Sequence, residues 1–308
     1  SGGACSTMIR AEVNALDQIS AKTRPIKMAR ISKGLSFALG VGTWLPEVWS
    51  DEKGVIAFLR FQGRGLVGYG LKKIGLEDAM SQKSTHFTHA ISRVPSKSIV
   101  SGLRAVDTGN PDYDVFLGHH TTYVATLRST GAEVTVLPAL EDFPDAVFVE
   151  DSALCLQELA IVMRPGAPSR LGEAAAMQPT LEALYSTVAV IEGPGFIEGG
   201  DILVSEREIL VGLSDRTNQA GVDELADIVA PFGYSVRVVQ TPPGVLHFKT
   251  DCSLLDGNTI LATPILDASG CFDGYDVIHT AEGESACANS IRYNDLVLMP
   301  AGFPKTRA

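Results

Sequence analysis

A unit of two strands, a helix and a third strand recurs along this chain, with acids, arginines or a histidine at its strand ends. The clearest copy spans residues 201–239. Residues 201–204 and 208–213 read as a strand pair, and a helix follows from about Thr217. Leu225, Ile228, Val229 and Phe232 form its apolar stripe, Gly233 is its stop, and 234–239 is the closing strand. Upstream, 154–156 and 159–163 pair in the same way, before a helical segment at 171–185 interrupted by Pro179 and a strand at 188–191. A weaker copy spans 253–299. Ahead of them lie a strand at 86–93, a helix opened by Pro111 and a strand at 133–137. That helix carries Phe116, His120, Tyr123 and Leu127 on one face and is stopped by Gly131. Repetition of a ββαβ unit every fifty residues or so predicts an α/β fold of modules set round a central pocket.

Charge narrows what such a pocket would hold. The 308 residues carry a net charge of −11, which disfavours nucleic acid or an anionic membrane as a partner and suits a small cation. Residues 1–79 hold 11 Lys/Arg against 7 Asp/Glu, whereas 80–308 hold 14 against 29. That change of sign marks an expected boundary near Met80: residues 1–79 read as a poorly ordered N-terminal extension and 80–308 as the catalytic unit. The extension contains a literal GxGxxG at 63–68, but Gly70 and Gly75 weaken the helix that should follow it, and no second βαβ half does. Five cysteines without a CxxC pair suggest reduced thiols and a cytoplasmic setting. The most apolar N-terminal stretch, 35–49, contains Pro46 and Glu47 and reads neither as a signal peptide nor as a membrane anchor.

The chemistry gathers around Phe143-Pro144-Asp145-Ala146-Val147-Phe148-Val149-Glu150-Asp151. Carboxylates bracketing a short apolar run are costly to bury unless a cation or hydrogen-bond donors meet them. Asp145, Glu150, Asp151 and Glu198 would suit a delocalised cation, and Arg170 and Arg216 a carboxylate. A ligand with both ends is an arginine-like amino acid, and His247 would move the protons for a leaving amine and an attacking water. Taken singly, each residue has a plainer reading. Glu198 and Asp201 fit a polar turn beside Gly199-Gly200, His247 a core histidine, and the arginines surface ion pairs.

Seven strings carry a family resemblance: FTHAISRVPSKSIVSGL, FPDAVFVEDSALC, AIVMRPGAPSR, EGGDILV, VGLSDRTNQAG, LHFKTD and VLMPAGFPKTR. Through them residues 87–308 resemble the dimethylarginine dimethylaminohydrolases, guanidine-modifying enzymes of the pentein group. The resemblance implies an α/β propeller of five ββαβ modules, the last incomplete here, and hydrolysis of Nω-methylated arginine to citrulline and a methylamine. It implies that Asp151 and Glu198 bind the guanidinium with Glu150 beside them, and that Asp145 and the backbone of Leu103 receive the α-amine. It further implies that Arg170 and Arg216 bind the α-carboxylate, that His247 is general acid and base, and that no metal or organic cofactor takes part. The family's nucleophilic cysteine lies in a Gly-rich segment beyond the PAGFPKTR match, and the sequence stops at Ala308. On that reading the chain as given binds substrate without turnover. Cys252 and Cys287 read as buried, and Cys5, in Gly2-Gly3-Ala4-Cys5, only loosely echoes the family's cysteine segment. Arginine deiminase, an amidinotransferase or a non-catalytic methylarginine- or citrulline-binding protein are the alternatives.

Overall fold

The computed structural model describes residues 46–51, 54–60, 84–104, 109–243 and 245–307. Its most buried strand segments, 160–162, 209–212 and 260–262, run in consecutive apolar stretches rather than alternating ones, as strands covered on both faces do. Two strands, β1 (Pro46–Asp51) and β2 (Gly54–Arg60), form an antiparallel hairpin. The expected boundary near Met80 and the GxGxxG lie outside the described residues.

Next, β3 (His89–Arg93) is joined to β4 (Glu133–Leu137) by α1 (Tyr113–Ser129), and the two strands are parallel. Asp112 starts α1 by accepting the Val115 N–H at 3.0 Å, and Gly131, with φ of 89°, lets the chain turn away after it. A single turn, α2 (Val149–Ser152), leads into β5 (Ala153–Cys155) and β6 (Ala160–Val162), which are antiparallel. Then α3 (Leu171–Ala175) and α4 (Gln178–Leu184) return the chain to β7 (Val188–Val190), parallel to β6. The pattern repeats with β8 (Ile202–Val204), β9 (Ile209–Leu213), α5 (Gln219–Val229) and β10 (Val236–Gln240). It repeats once more with β11 (Cys252–Leu254), β12 (Thr259–Ala262), α6 (Pro264–Asp267) and β13 (Asp276–His279). A last hairpin, β14 (Ile291–Tyr293) and β15 (Leu296–Leu298), pairs through β15 with β2, and α7 (Pro304–Arg307) follows.

The described strands form five small sheets, none of which closes on itself. The largest apolar cluster packs β5, β6, β8 and β9 under α5 through Ile161, Ile202, Val211 and Leu225. Asn294 ties the β14–β15 turn back to the segment before β3. Its N–H donates to the Thr85 carbonyl at 2.9 Å, and its side chain accepts from the Phe87 N–H at 2.6 Å and donates to the Phe87 carbonyl at 2.9 Å.

Three expectations change. Pro179 does not break a helix. It sits in the first turn of α4, where its missing N–H has no partner to lose, and the interruption falls before it. Phe232 is 38% exposed because α5 ends at Val229 and the tighter 3₁₀ turn Ala230–Phe232 rotates it off the buried face. The strand expected at 86–93, β3, begins at His89 rather than at His86.

Two glycines separate helix propensity from packing. A Cβ at Gly221, in α5, would lie 2.4 Å from the Phe196 carbonyl oxygen, whereas one at Gly118, in α1, meets nothing within 4 Å. Gly118→Ala should raise unfolding stability by roughly 0.5–1 kcal/mol. Gly221→Ala should lower it by roughly 1–3 kcal/mol despite the better helix former. Urea unfolding measures both, and equal signs would contradict the close approach.

Candidate active site

Glu198 stands at the meeting point of the strand ends and has no exposed surface. It precedes the 3₁₀ turn Gly199–Asp201 that leads into β8. Its Oε1 accepts the Gly166 N–H at 3.1 Å and lies 3.5 Å from Arg216 Nη1. Its Oε2 is 2.8 Å from His247 Nε2 and 3.9 Å from Arg170 Nη1. The two glycines after it let the backbones close. A Cβ at Gly199 would sit 2.0 Å from the Glu150 carbonyl, and one at Gly200 would sit 2.7 Å from Asp151 Oδ1 and 3.0 Å from the His247 ring.

Asp151 is brought in by α2 and is buried. Its Oδ1 accepts the Gly200 N–H at 2.9 Å and its Oδ2 accepts from Arg170 Nη1 at 2.7 Å. Burial works to raise its carboxyl, but Arg170, His247 and Lys249 outweigh that and hold it below the usual carboxylate range. Glu150, the adjacent residue, points elsewhere. Its half-exposed carboxylate pairs with Lys249, so the structure does not bring its side chain into the cluster. Asp145 is buried in the turn ahead of α2, and both its oxygens accept the Leu103 N–H, at 3.1 and 3.2 Å. Burial pushes Asp145 up, against the Leu103 hydrogen bond and the charges of Arg170 and Arg216.

Arg170 is held in an acid cage. Besides Asp151, its Nε donates to Glu173 Oε1 at 2.7 Å and its Nη2 donates to the carbonyls of Asp145 and Phe148, each at 3.3 Å. Glu173 was not among the sequence candidates. It is buried, also accepts from the Ser152 hydroxyl at 3.3 Å, and burial pushes its carboxyl up to about 7 against the pull of Arg170. The Arg-x-x-Glu spacing, one turn apart, was its only signal. His247 precedes the 3₁₀ turn Phe248–Thr250, anchored by the fully buried Phe248. Burial alone would lower its pKa. The Glu198 hydrogen bond and the charges of Asp151, Asp201 and Glu198 prevail and raise it to about 9.

Asp151, Glu198 and His247 each offer an atom within 4.8 Å of the others, a donor set of the kind a metal ion uses. Arg170 Nη1 already stands 2.7 Å from one of these carboxylates and 3.9 Å from the other, where its charge opposes a dication. The cluster is better matched to a planar, delocalised monocation, and the cation it demonstrably engages is a guanidinium.

Among the described residues no helix is long and apolar enough to cross a membrane. Residues 114–250 match the family model for N,N dimethylarginine dimethylhydrolase, eukaryotic. The dimethylarginine dimethylaminohydrolase of Pseudomonas aeruginosa is 40% identical over 222 residues, which are 72% of this chain and 87% of that protein. A solved structure of the Pseudomonas aeruginosa enzyme, a cysteine-to-serine mutant complexed with citrulline, superposes with a TM-score of 0.70 over 72% of this chain and 87% of its own. An amidinotransferase from Microseira wollei, 14% identical, shares the fold with a TM-score of 0.56 over 70% of this chain and 82% of its own. The α/β arrangement is thus that of the pentein group, and the chain belongs to the dimethylarginine dimethylaminohydrolase family.

Proposed function

We propose that this protein hydrolyses Nω,Nω-dimethylarginine to citrulline and dimethylamine. The observation that carries the reading is the guanidinium of Arg170 between Asp151 and Glu198, which displays the cluster's affinity for that group. Asp151 and Glu198 would hold the substrate guanidinium, with Glu150 beside them in the chain and its side chain turned to Lys249. Asp145 and the Leu103 backbone would receive the α-amine. Arg216, 10% exposed at the cluster's edge, would take the α-carboxylate within the positive field it shares with Arg170.

The chemistry follows in two balanced steps. A cysteine thiolate adds to the guanidinium carbon, and the C–N bond to the dimethylamino group breaks as imidazolium His247 protonates the leaving amine. That leaves a thiouronium, with His247 neutral. Water then gives one proton to His247 and adds as hydroxide to the same carbon, and the C–S bond breaks to return the thiolate. The hydroxyl proton left on the product passes to solvent, where the departed dimethylamine takes one up, and neutral citrulline is released. Bound charge and fixed geometry make an inert guanidinium reactive. In the family the thiolate comes from a segment beyond the match to residues 296–307. Cys155, Cys252, Cys271 and Cys287 have thiols pushed up by burial, the wrong direction for a nucleophile, and Cys5 lies outside the described residues.

The five sheets are read as propeller modules, with the Asn294 hydrogen bonds supporting a junction between first and last. The catalytic unit is taken to begin near Met80, with β1 and β2 as an appended hairpin on β15. Among the described residues Cys155, Cys252, Cys271 and Cys287 are free thiols, which supports a reducing, cytoplasmic setting.

Four outcomes test this reading. The kcat/KM of the thiolate-bearing enzyme for dimethylarginine should exceed that for arginine, and the reverse order would assign it to the deiminases instead. Arg216→Ala should weaken citrulline binding by at least about 30-fold in calorimetry, the cost of removing one partner of a buried charge pair. An NMR titration should place His247 near pH 9, and Glu198→Gln should move it toward the ordinary histidine value. Because the folded value lies above the unfolded one, the stability from His247 is full below about pH 6.5 and lost as pH rises through about 9. A melting temperature flat across that window would deny the shift.

A further inference from the structure

Asp201 has no exposed surface, its carboxylate hydrogen-bonds none of the side chains assigned to substrate, and it still gathers three segments of the site. Its Oδ2 accepts from the Ser214 hydroxyl at 2.7 Å and from the Thr217 hydroxyl at 2.6 Å, and its Oδ1 accepts the Phe248 N–H at 2.9 Å. Ser214 and Thr217 bound the tight turn that carries Arg216, bridged by their mutual backbone pairing. Phe248 is the neighbour of His247, and Asp201 itself ends the turn that begins at Glu198.

The hydroxyls are oriented as well as bound. The Ser214 oxygen accepts the Arg216 N–H at 3.0 Å, and the Thr217 oxygen accepts the Glu198 N–H at 3.1 Å. Each hydroxyl accepts a backbone N–H on one side and donates its own proton to Oδ2 on the other. Each hydroxyl relays the carboxylate's position to the backbone of a site residue, Arg216 through Ser214 and Glu198 through Thr217. The third bond fixes the backbone that aims His247. The residue is also one of the charges facing the imidazole, with Glu198 and Asp151.

We propose that Asp201 is a positioning residue that locks the Arg216 turn, the Glu198 backbone and the His247 segment to one carboxylate, so that the two ends of the substrate and the proton-transferring imidazole are set together. The inference rests on the functional reading above. An isosteric amide cannot serve all three segments. If its oxygen meets Phe248, its NH₂ can reach the two hydroxyl oxygens only if both hydroxyl protons swing away and lose the acceptor that Oδ2 gave them. If its oxygen meets the hydroxyls, its NH₂ faces the Phe248 N–H.

Asp201→Asn tests this, with Leu127→Ala as a control destabilised in the remote β3–β4–α1 core. Citrulline affinity by calorimetry, the His247 titration by NMR and the melting temperature are read for each protein. Asp201→Asn should weaken citrulline at least about tenfold and lower the His247 titration midpoint. Leu127→Ala should lower the melting temperature and leave both other quantities unchanged. Citrulline affinity and a His247 midpoint that match the parent protein in Asp201→Asn would overturn the proposal. A parent protein that does not bind citrulline would sink the functional reading instead. Amide-proton exchange at Arg216, Glu198 and Phe248 would then decide on Asp201 alone, protection unchanged from the parent protein in Asp201→Asn counting against it and lost protection for it.

Discussion

Burying the Glu198 carboxylate sets the terms for the rest of the structure. An acid side chain with no exposed surface loses its hydration outright, and only donors from the protein can replace it. Those donors come from separate places in the chain: the Gly166 backbone after β6, Arg216 in the turn after β9, and His247 ahead of β11. No single module could supply them. The strand ends therefore have to converge, and the backbones have to approach more closely than side chains would permit. Gly199 and Gly200 meet that demand, since a Cβ on either would collide with the Glu150–Asp151 segment. The acid, its donors and the glycines beside it form one constraint rather than three features.

That constraint also decides which parts of the site could be read from the sequence. The modules were legible because their strands are short apolar runs that end at charged or turn residues, and a buried strand has few other ways to look. The strand at 133–137 falls where the apolar pattern placed it, and the parallel strand after each helix follows from the ββαβ order. Side-chain direction was a different matter. Glu150 and Asp151 are adjacent on a single helical turn, so they diverge by about 100°, and four residues give no periodicity to say which faces inward. Asp201 and Glu173 were missed as contributors because their partners are hydroxyls and a guanidinium that only the fold brings near. Phe232 was misplaced because apolar spacing carries no mark of the change from α to 3₁₀ turns.

The Arg170 cage shows how charge is apportioned among crowded acids. Asp145, Asp151 and Glu173 all feel the same guanidinium, and one positive charge cannot keep three buried carboxylates ionised with equal ease. The short bond to Nη1, with His247 and Lys249 behind it, holds Asp151 down, while Asp145 and Glu173 are displaced upward. Negative charge is thus concentrated on the carboxylate proposed to face the substrate guanidinium. A buried network of this kind is poor value as a source of stability, because desolvation consumes most of the Coulombic gain. What it supplies is a fixed distribution of charge that an apolar replacement could not reproduce.

The same field bears on how one histidine can serve two opposite proton transfers. With the site empty, the acids around His247 raise it to about 9, so it meets the substrate as an imidazolium, the form needed to protonate a departing amine. A guanidinium bound between Asp151 and Glu198 places a positive charge among the very groups that raise that value. By Coulomb's law it must lower the imidazole's affinity for its proton in the complex, easing release to the leaving group. The thiouronium intermediate retains that positive charge, so His247 stays less basic than in the empty enzyme while water is activated. The field strengthens again as neutral citrulline forms, which favours recapture of the proton from water. Substrate charge thus tunes the acid that acts upon it, and the close packing of Asp151, Glu198 and His247 makes that coupling strong.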